Sequence, residues 1–95
     1  LSEIEQELSI AARKDVCITF VPHLAPMTRG IHTTLFAKPL ASPEALEACL
    51  TEAYANEAFV RFGAALPDTK NCSGTNFCDI AMRFDARTGR VILLS

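Results

Sequence analysis

FCDIAMRFDARTGRVILLS, residues 77–95, gives the clearest indication of secondary structure in the chain. Its first half alternates apolar and polar side chains, a period of two that is typical of a β-strand. Gly89 then occupies a position where a left-handed residue closes a short hairpin, and RVILLS follows as the partner strand. The apolar members of the alternation are Cys78, Ile80, Met82 and Phe84, and Asp79 and Arg83 face the other way. The stretch therefore predicts an antiparallel β-hairpin.

Upstream, the first half of the chain predicts one helix and two strands. Ser2 and Glu5 form a capping box at the start of an amphipathic helix that Asp15 ends. Alternating apolar residues then predict a strand in DVCITFV, residues 15–21, and β-branched residues predict another in GIHTTLFAK, residues 30–38.

A second helix begins at Ser42, a good N-cap, followed by Pro43 at the first helical position, and it stops near Asn56. AFVRFGA, residues 58–64, predicts a strand, and residues 67–76 are turn-rich. The resulting order, α-β-β-α-β-β-β, predicts a single α+β domain over residues 1–95. We expect a mixed, mostly antiparallel sheet packed on one face by two helices.

Composition excludes several classes of protein. The 95 residues are 49% hydrophobic and 21% charged, with a net charge of −2 and a pI near 5.6, which argues against a basic nucleic-acid-binding surface. No apolar run approaches the roughly 18–20 residues that span a bilayer. The acidic amphipathic N-terminus does not resemble a signal peptide, so we expect a cytoplasmic protein. From the sequences at its two ends, we expect the chain to be a portion of a longer protein.

The cysteines and histidines do not predict a metal site. Five residues separate Cys72 from Cys78 and eight separate the two histidines, unlike the close pairs that bind zinc. Cys17 and Cys49 fall within apolar patterns and are expected to be buried and inert. Cys72, in a polar loop, could be reactive, but nothing nearby marks it as a nucleophile. No glycine-rich turn predicts a phosphate-binding loop, so no cofactor-binding residue is expected here.

PHLAPMTRGIH, residues 22–32, carries the candidate binding residues His23 and Arg29. Pro22 fixes the backbone before His23, and Gly30 after Arg29 permits a close approach or an unusual φ. An arginine on a loop at a strand end can bind a phosphate or carboxylate through two hydrogen bonds. The alternative is that Arg29 pairs with an acidic residue and His23 caps the strand. His32 is predicted to lie inside a strand, as a structural or interface residue.

The motif Pro22-His23-Leu24-x-Pro26-Met27-Thr28-Arg29-Gly30-Ile31 resembles that of the N-acetyl-γ-glutamyl-phosphate reductase family, which catalyses the third step of arginine biosynthesis. Three further stretches agree with this resemblance: residues 2–8, GTNFCDI at residues 74–80, and DARTGRV at residues 85–91. The four stretches occur in the same order as in the family, from one end of the chain to the other.

The resemblance implies an enzyme that reduces an acyl phosphate to a semialdehyde with NADPH, using a cysteine that forms a thioester and a histidine acid/base. It also implies that the chain has the fold of the second domain of glyceraldehyde-3-phosphate-dehydrogenase-like enzymes. The sheet of that domain contributes to a subunit interface, so the resemblance implies a homo-oligomer. None of the four cysteines here lies in the family's Gly-Cys-Tyr-Pro-Thr setting, and the family's His-Arg-His run falls just before residue 1.

The chain is therefore expected to be a portion of the substrate and dimerisation domain, without catalytic residues and inactive alone. NADPH is expected on a Rossmann domain outside it. His23 and Arg29 are the expected substrate-binding residues. The alternatives are the related reductases that act on aminoadipyl phosphate or form aspartate semialdehyde, and a free-standing dimerisation or interaction module.

Overall fold

The computed structural model describes residues 2–63 and 65–95, with the backbone alone for Ser2. The elements in chain order are α1 (Ser2–Ala12), β1 (Thr34–Ala37), α2 (Pro43–Tyr54), β2 (Val60–Phe62), α3 (Thr69–Cys72), β3 (Cys78–Asp85) and β4 (Arg90–Leu94). The four strands form one sheet in the order β1-β4-β3-β2. β2 runs parallel to β3, whereas β4 is antiparallel to both β1 and β3. The predicted α+β class with a mixed, mostly antiparallel sheet is confirmed.

The β3–β4 hairpin forms as predicted. Asp85 pairs with Arg90 next to the turn, and Ala81 pairs with Leu94 at the far end. Gly89 has a φ of 70°, in the left-handed region that glycine adopts without steric cost, and its N–H donates to the Asp85 carbonyl at 2.8 Å. The turn chemistry therefore sets the register of the two central strands.

Helix α2 also begins as predicted. The Ser42 Oγ accepts a hydrogen bond from the Ala45 N–H at 3.2 Å, and Pro43 occupies the first turn. The helix ends at Tyr54, two residues before the predicted stop at Asn56. It lies against β2, and the residues Leu46, Leu50 and Tyr54 of its apolar stripe are half-buried. The cap and the stripe together hold α2 beside the parallel edge of the sheet.

The strand predicted within residues 15–21 is wrong, because this segment pairs with no strand in the described part of the chain. Two of its backbone N–H groups are bound by side chains of α1 instead. The Val16 N–H donates to Ser9 Oγ at 2.9 Å, and the Ile18 N–H donates to Glu5 Oε2 at 2.8 Å. The observed order is consequently α-β-α-β-α-β-β.

The boundaries of α1 and the loop before β3 also differ from the prediction. Helix α1 ends at Ala12, where Arg13 takes a φ of 58°, three residues before the expected stop at Asp15. The predicted capping role of the Ser2 side chain lies outside the described residues. The turn-rich segment contains the short helix α3, which begins because the Asp68 carboxylate accepts a hydrogen bond from the Lys70 N–H at 2.9 Å.

The core of the described chain is small and lies in the hairpin. Ala81 is 0% exposed and Val91 is 6% exposed. One face of the sheet, here called the apolar face, is defined by the strand register and by the alternation of side chains. Its members are Leu35, Val60, Phe62, Cys78, Ile80, Met82, Phe84, Val91 and Leu93. Cys17 and Cys49, predicted to be buried, are both exposed.

Candidate functional site

A cleft of about 290 Å³ lies where three segments of the chain converge. Residues 31–33 form one wall, residues 67–69 with Cys72 of α3 form a second, and residues 77–79 with Ser95 form the third. The polar groups on these walls are those of His32, Thr33, Asp68, Thr69, Cys72, Asp79 and Ser95. The residues that line the cleft therefore include hydroxyl, imidazole, carboxyl and thiol side chains.

Backbone pairing at the end of the sheet positions two of these walls. The Thr33 N–H donates to the Ser95 carbonyl at 2.7 Å, and the Ser95 N–H donates back to the Thr33 carbonyl at 2.9 Å. The Cys78 Sγ lies 3.5 Å from the Ser95 Oγ. The β1–β4 ladder thus continues beyond its last assigned pair and holds Ser95 at the start of β3.

Gly30 brings the end of the PHLAPMTRGIH stretch against α3. It has a φ of 97°, and a Cβ placed there would lie 3.6 Å from the Cβ and Cγ2 of Thr69. This close approach makes residues 31–33 and α3 neighbouring walls of the same cleft. The glycine is needed chiefly for its positive φ, which other residues adopt only with strain.

An ion pair links β2 to the third wall. Arg61 Nε and Nη2 donate to Asp79 Oδ1 and Oδ2 respectively, the second bond measuring 3.1 Å. The Arg61 Cζ also lies 4.2 Å from the centroid of the Phe77 ring, and Phe77 meets Phe59 edge to face with centroids 5.8 Å apart. One guanidinium therefore contacts both residues that flank Cys78.

The hydrogen bond from Arg61 lowers the pKa of the Asp79 carboxyl below its usual 3.8, against the opposing effect of desolvation. The Cys72 thiol adds a smaller lowering contribution to that pKa. In turn, the hydrogen bond to Asp79 is the main cause that raises the pKa of the Arg61 guanidinium. Both groups are consequently charged over the whole neutral range, so the wall carries a fixed ion pair.

The structure places the two predicted binding residues on the exposed loop that precedes the cleft. His23 Nδ1 lies 3.1 Å from the Val21 carbonyl oxygen. Arg29 directly precedes Gly30, two residues before the wall that begins at Ile31. Within residues 2–63 and 65–95, no hydrogen bond or ion pair joins His23 to Arg29, and neither residue lines the cleft. The alternative role for Arg29, an ion pair with an acidic residue, is likewise not formed among those residues.

Sequence reasoning missed most residues of the cleft. His32 was expected inside a strand, yet β1 begins at Thr34 and His32 lines the cleft instead. Asp79 was recognised as the polar side of a strand, but nothing in the sequence pairs it with Arg61, 18 positions away. The one available signal was the Asp68-Thr69 pair, which resembles a helix cap and start.

Cys17 is not activated as a nucleophile. Cys17 is exposed, and its hydrogen bond to the Glu5 carboxylate, together with the charge of that carboxylate, raises the pKa of its thiol. A raised pKa lowers the thiolate fraction, the opposite of what a nucleophilic cysteine needs.

Among the described residues, no helix is long and apolar enough to cross a bilayer.

Comparison with known proteins agrees, along the whole chain, with the family resemblance of the sequence. The model of the semialdehyde dehydrogenase dimerisation domain matches residues 1–95. The chain is 50% identical to N-acetyl-gamma-glutamyl-phosphate reductases of Pelobacter propionicus and Pelotomaculum thermopropionicum, over 98% of its own length and 28% of theirs. It is 46% identical to the enzyme of that name from Citrifermentans bemidjiense, over 100% of its own length and 29% of the relative's. The chain thus spans between a quarter and a third of these relatives, and it belongs to the semialdehyde dehydrogenase dimerisation-domain family.

Proposed function

We propose that this chain is part of an NADPH-dependent reductase that converts N-acetyl-glutamyl phosphate to N-acetyl-glutamate semialdehyde in arginine biosynthesis. The observation that supports this proposal is identity of 46–50%, over nearly the whole chain, to reductases of that name. In this reaction a hydride from NADPH replaces the phosphate on the acyl carbon, and the departing phosphate takes up a proton. The products are the aldehyde, NADP⁺ and inorganic phosphate.

The chain supplies substrate contacts and a subunit interface in this proposal. NADPH is bound mainly by a nucleotide-binding domain elsewhere in the full-length protein. The thioester-forming cysteine and the catalytic histidine also lie outside residues 1–95. The substrate is anionic at both its phosphate and its carboxylate, so the protein must offer cations or hydrogen-bond donors to hold it. A cytoplasmic location fits such a biosynthetic reaction.

Arg29, together with His23, is the proposed contact for a substrate phosphate or carboxylate. Both lie on the exposed loop of residues 22–30, and Gly30 packs this loop against α3 at the edge of the cleft. Arg29 has no acidic partner among the described residues, so its guanidinium is available to an anion. Arginine binds phosphate and carboxylate through two parallel hydrogen bonds, which orients the ligand as well as neutralising it.

The proposed activity is tested on the full-length protein that contains this chain. In the reductive direction, N-acetyl-glutamyl phosphate should drive oxidation of NADPH with release of one phosphate per aldehyde formed. The same assay with aspartyl phosphate and with carrier-bound aminoadipyl phosphate separates the related reductases. Turnover of either one in place of N-acetyl-glutamyl phosphate would contradict the proposed substrate. Residues 1–95 alone should show no turnover.

Replacing Arg29 tests its proposed contact. In the full-length enzyme, Arg29→Ala should raise KM for the acyl phosphate about 10- to 100-fold, since a hydrogen bond to a charged group contributes about 1.5–3 kcal/mol. Steady-state kinetics at constant NADPH measure the change. Arg87→Ala, in the β3–β4 turn, is the matched control because it removes the same charge from a different part of the domain. An unchanged KM for Arg29→Ala would remove Arg29 from the site.

We also propose that two copies associate through the sheet. The family whose model matches the chain is described as a dimerisation domain. The strand β1 forms one edge of the sheet, and its Leu35 and Phe36 are exposed on opposite faces. Exposed apolar surface on both faces of an edge strand favours coverage by another folded surface.

A further inference from the structure

Arg61 joins β2 to the part of β3 that lines the cleft. The register of the parallel pair sets Arg61 opposite Asp79, and both carboxylate oxygens accept hydrogen bonds from the guanidinium. The same guanidinium lies over the Phe77 ring. Phe77 and Asp79 are both in the cleft wall, so one side chain outside the cleft contacts two residues inside it.

Strand pairing does not by itself fix the Phe77 ring. Strand β3 begins at Cys78, and the Phe77 N–H donates to the Thr75 Oγ1 at 3.1 Å rather than to a strand. The ring is held from its face by Arg61 and from its side by Phe59. The position of this part of the wall therefore depends on the Arg61 side chain.

The charge of the wall depends on Arg61 as well. Asp79 lines the cleft, and its carboxylate is compensated by a bidentate partner. The other charged group on the walls is Asp68, whose carboxylate binds the Lys70 N–H. Without Arg61, the Asp79 carboxylate would stand uncompensated beside a second acid. Uncompensated carboxylates on the walls of a cleft oppose the binding of an anion.

We propose that Arg61 is a positioning residue that holds the wall of Phe77 and Asp79 and neutralises Asp79, so that the cleft accepts an anionic acyl phosphate. This inference rests on the function proposed above and adds to it a residue that does not itself touch the substrate. Arg61 is assigned this indirect role because two of its N–H groups are bound to Asp79 and its side chain does not line the cleft.

The test compares Arg61→Gln with the double variant Arg61→Gln/Asp79→Asn in the full-length enzyme. Arg61→Gln should raise KM for N-acetyl-glutamyl phosphate by on the order of tenfold, with a smaller change in kcat, because an uncompensated carboxylate repels the substrate. The double variant should recover most of that loss, since it has no charge at either position. A purely structural role for the pair predicts the opposite, a double variant at least as impaired as the single one.

Two further variants complete the design. Arg61→Lys keeps the charge but loses the paired hydrogen bonds and the stacking on Phe77, so its KM should lie between those of the wild type and Arg61→Gln, which separates the charge effect from the positioning effect. Arg87→Gln is the matched control and should leave KM unchanged. A KM for Arg61→Gln equal to that of the wild type, or a double variant no better than the single one, overturns the inference.

Failure of the proposed function is distinguishable from failure of this inference. If the wild-type full-length protein turns over no acyl phosphate, the proposed function is wrong. The inference is then decided by titrating inorganic phosphate and following the amide resonances of Phe77 and Cys78 by NMR. Shifts that weaken in Arg61→Gln and return in the double variant support it. Equal shifts in all three proteins, or none in the wild type, overturn it.

Discussion

The charge on Asp79 depends on Arg61, its partner across the β2–β3 pair. Because the hydrogen bond from Arg61 lowers the pKa of Asp79 in the folded protein, the ionised carboxylate favours folding. This contribution is fully present above the usual pKa of 3.8 and is lost as the pH falls through the lower folded value. We expect Asp79→Asn to be less stable than the wild type at neutral pH and equally stable in strong acid. Denaturant unfolding of both proteins as a function of pH measures the difference.

A site-specific readout accompanies that stability measurement. The carboxyl carbon of Asp79, followed by NMR, should titrate below 3.8 in the wild type and closer to its usual value in Arg61→Gln. Asp85→Asn is a suitable control for stability, because the Asp85 carboxylate binds the Arg87 N–H within its own turn. Identical titration of Asp79 in both proteins would show that the ion pair does not control its charge.

Single residues were predictable where their chemistry is local. Gly89 could be identified because a short hairpin needs a left-handed residue at that position, and Ser42 because a helix start needs a side-chain acceptor. The pairing of Arg61 with Asp79 could not be predicted from the sequence, because it depends on which strands become neighbours in the sheet. His32, predicted to lie inside a strand, lines the cleft instead because β1 begins at Thr34.

At the scale of elements, helix α2 depends on its cap. Ser42→Ala removes the acceptor of the Ala45 N–H and leaves that donor unpaired at the first turn. We expect the change to destabilise the helix by about 0.5–2 kcal/mol. Hydrogen exchange at the Ala45 amide, together with the thermal unfolding midpoint of the full-length protein, measures the effect.

The matched control keeps the acceptor while changing the residue. Ser42→Asp offers a carboxylate oxygen to the same N–H and adds a negative charge at a helix N-terminus, where it is favourable. It should exchange as slowly as the wild type. Equal loss of protection in Ser42→Asp and Ser42→Ala would mean that the hydroxyl acts through some contact other than capping.

The strand prediction was wrong where a segment has the alternation of a strand but no neighbouring strand to pair with. Residues 16–21 alternate as a strand does, yet a strand exists only when another strand accepts its hydrogen bonds, and here α1 side chains bind two of the N–H groups. Helix α3 was missed for the converse reason. Its four residues carry no apolar period, and it exists because Asp68 caps it.

At the scale of the whole molecule, the chain exposes more surface than its size requires. Its accessible surface is 7855 Å², whereas a compact protein of 10.3 kDa exposes about 5,400 Å². Its radius of gyration is 14.3 Å, against about 12 Å for a compact domain of 95 residues. The excess of roughly 2,500 Å² on one chain is about half of the roughly 5,000 Å² that a large obligate interface buries over its two partners. The described fold therefore has the surface of a domain that completes its core against other protein.

This excess surface predicts that purified residues 1–95 self-associate and bind hydrophobic dyes, since the apolar face is long and β1 leaves Leu35 47% exposed. Sedimentation equilibrium should give a mass above 10.3 kDa that depends on concentration. Leu35→Asp places a charge on the apolar face and should shift the protein towards monomer. Leu40→Asp, in the loop before α2, introduces the same charge at an exposed leucine outside the sheet and should not. A monomer that binds no dye, or equal effects of the two substitutions, would mean that the sheet is not the surface through which copies of this chain meet.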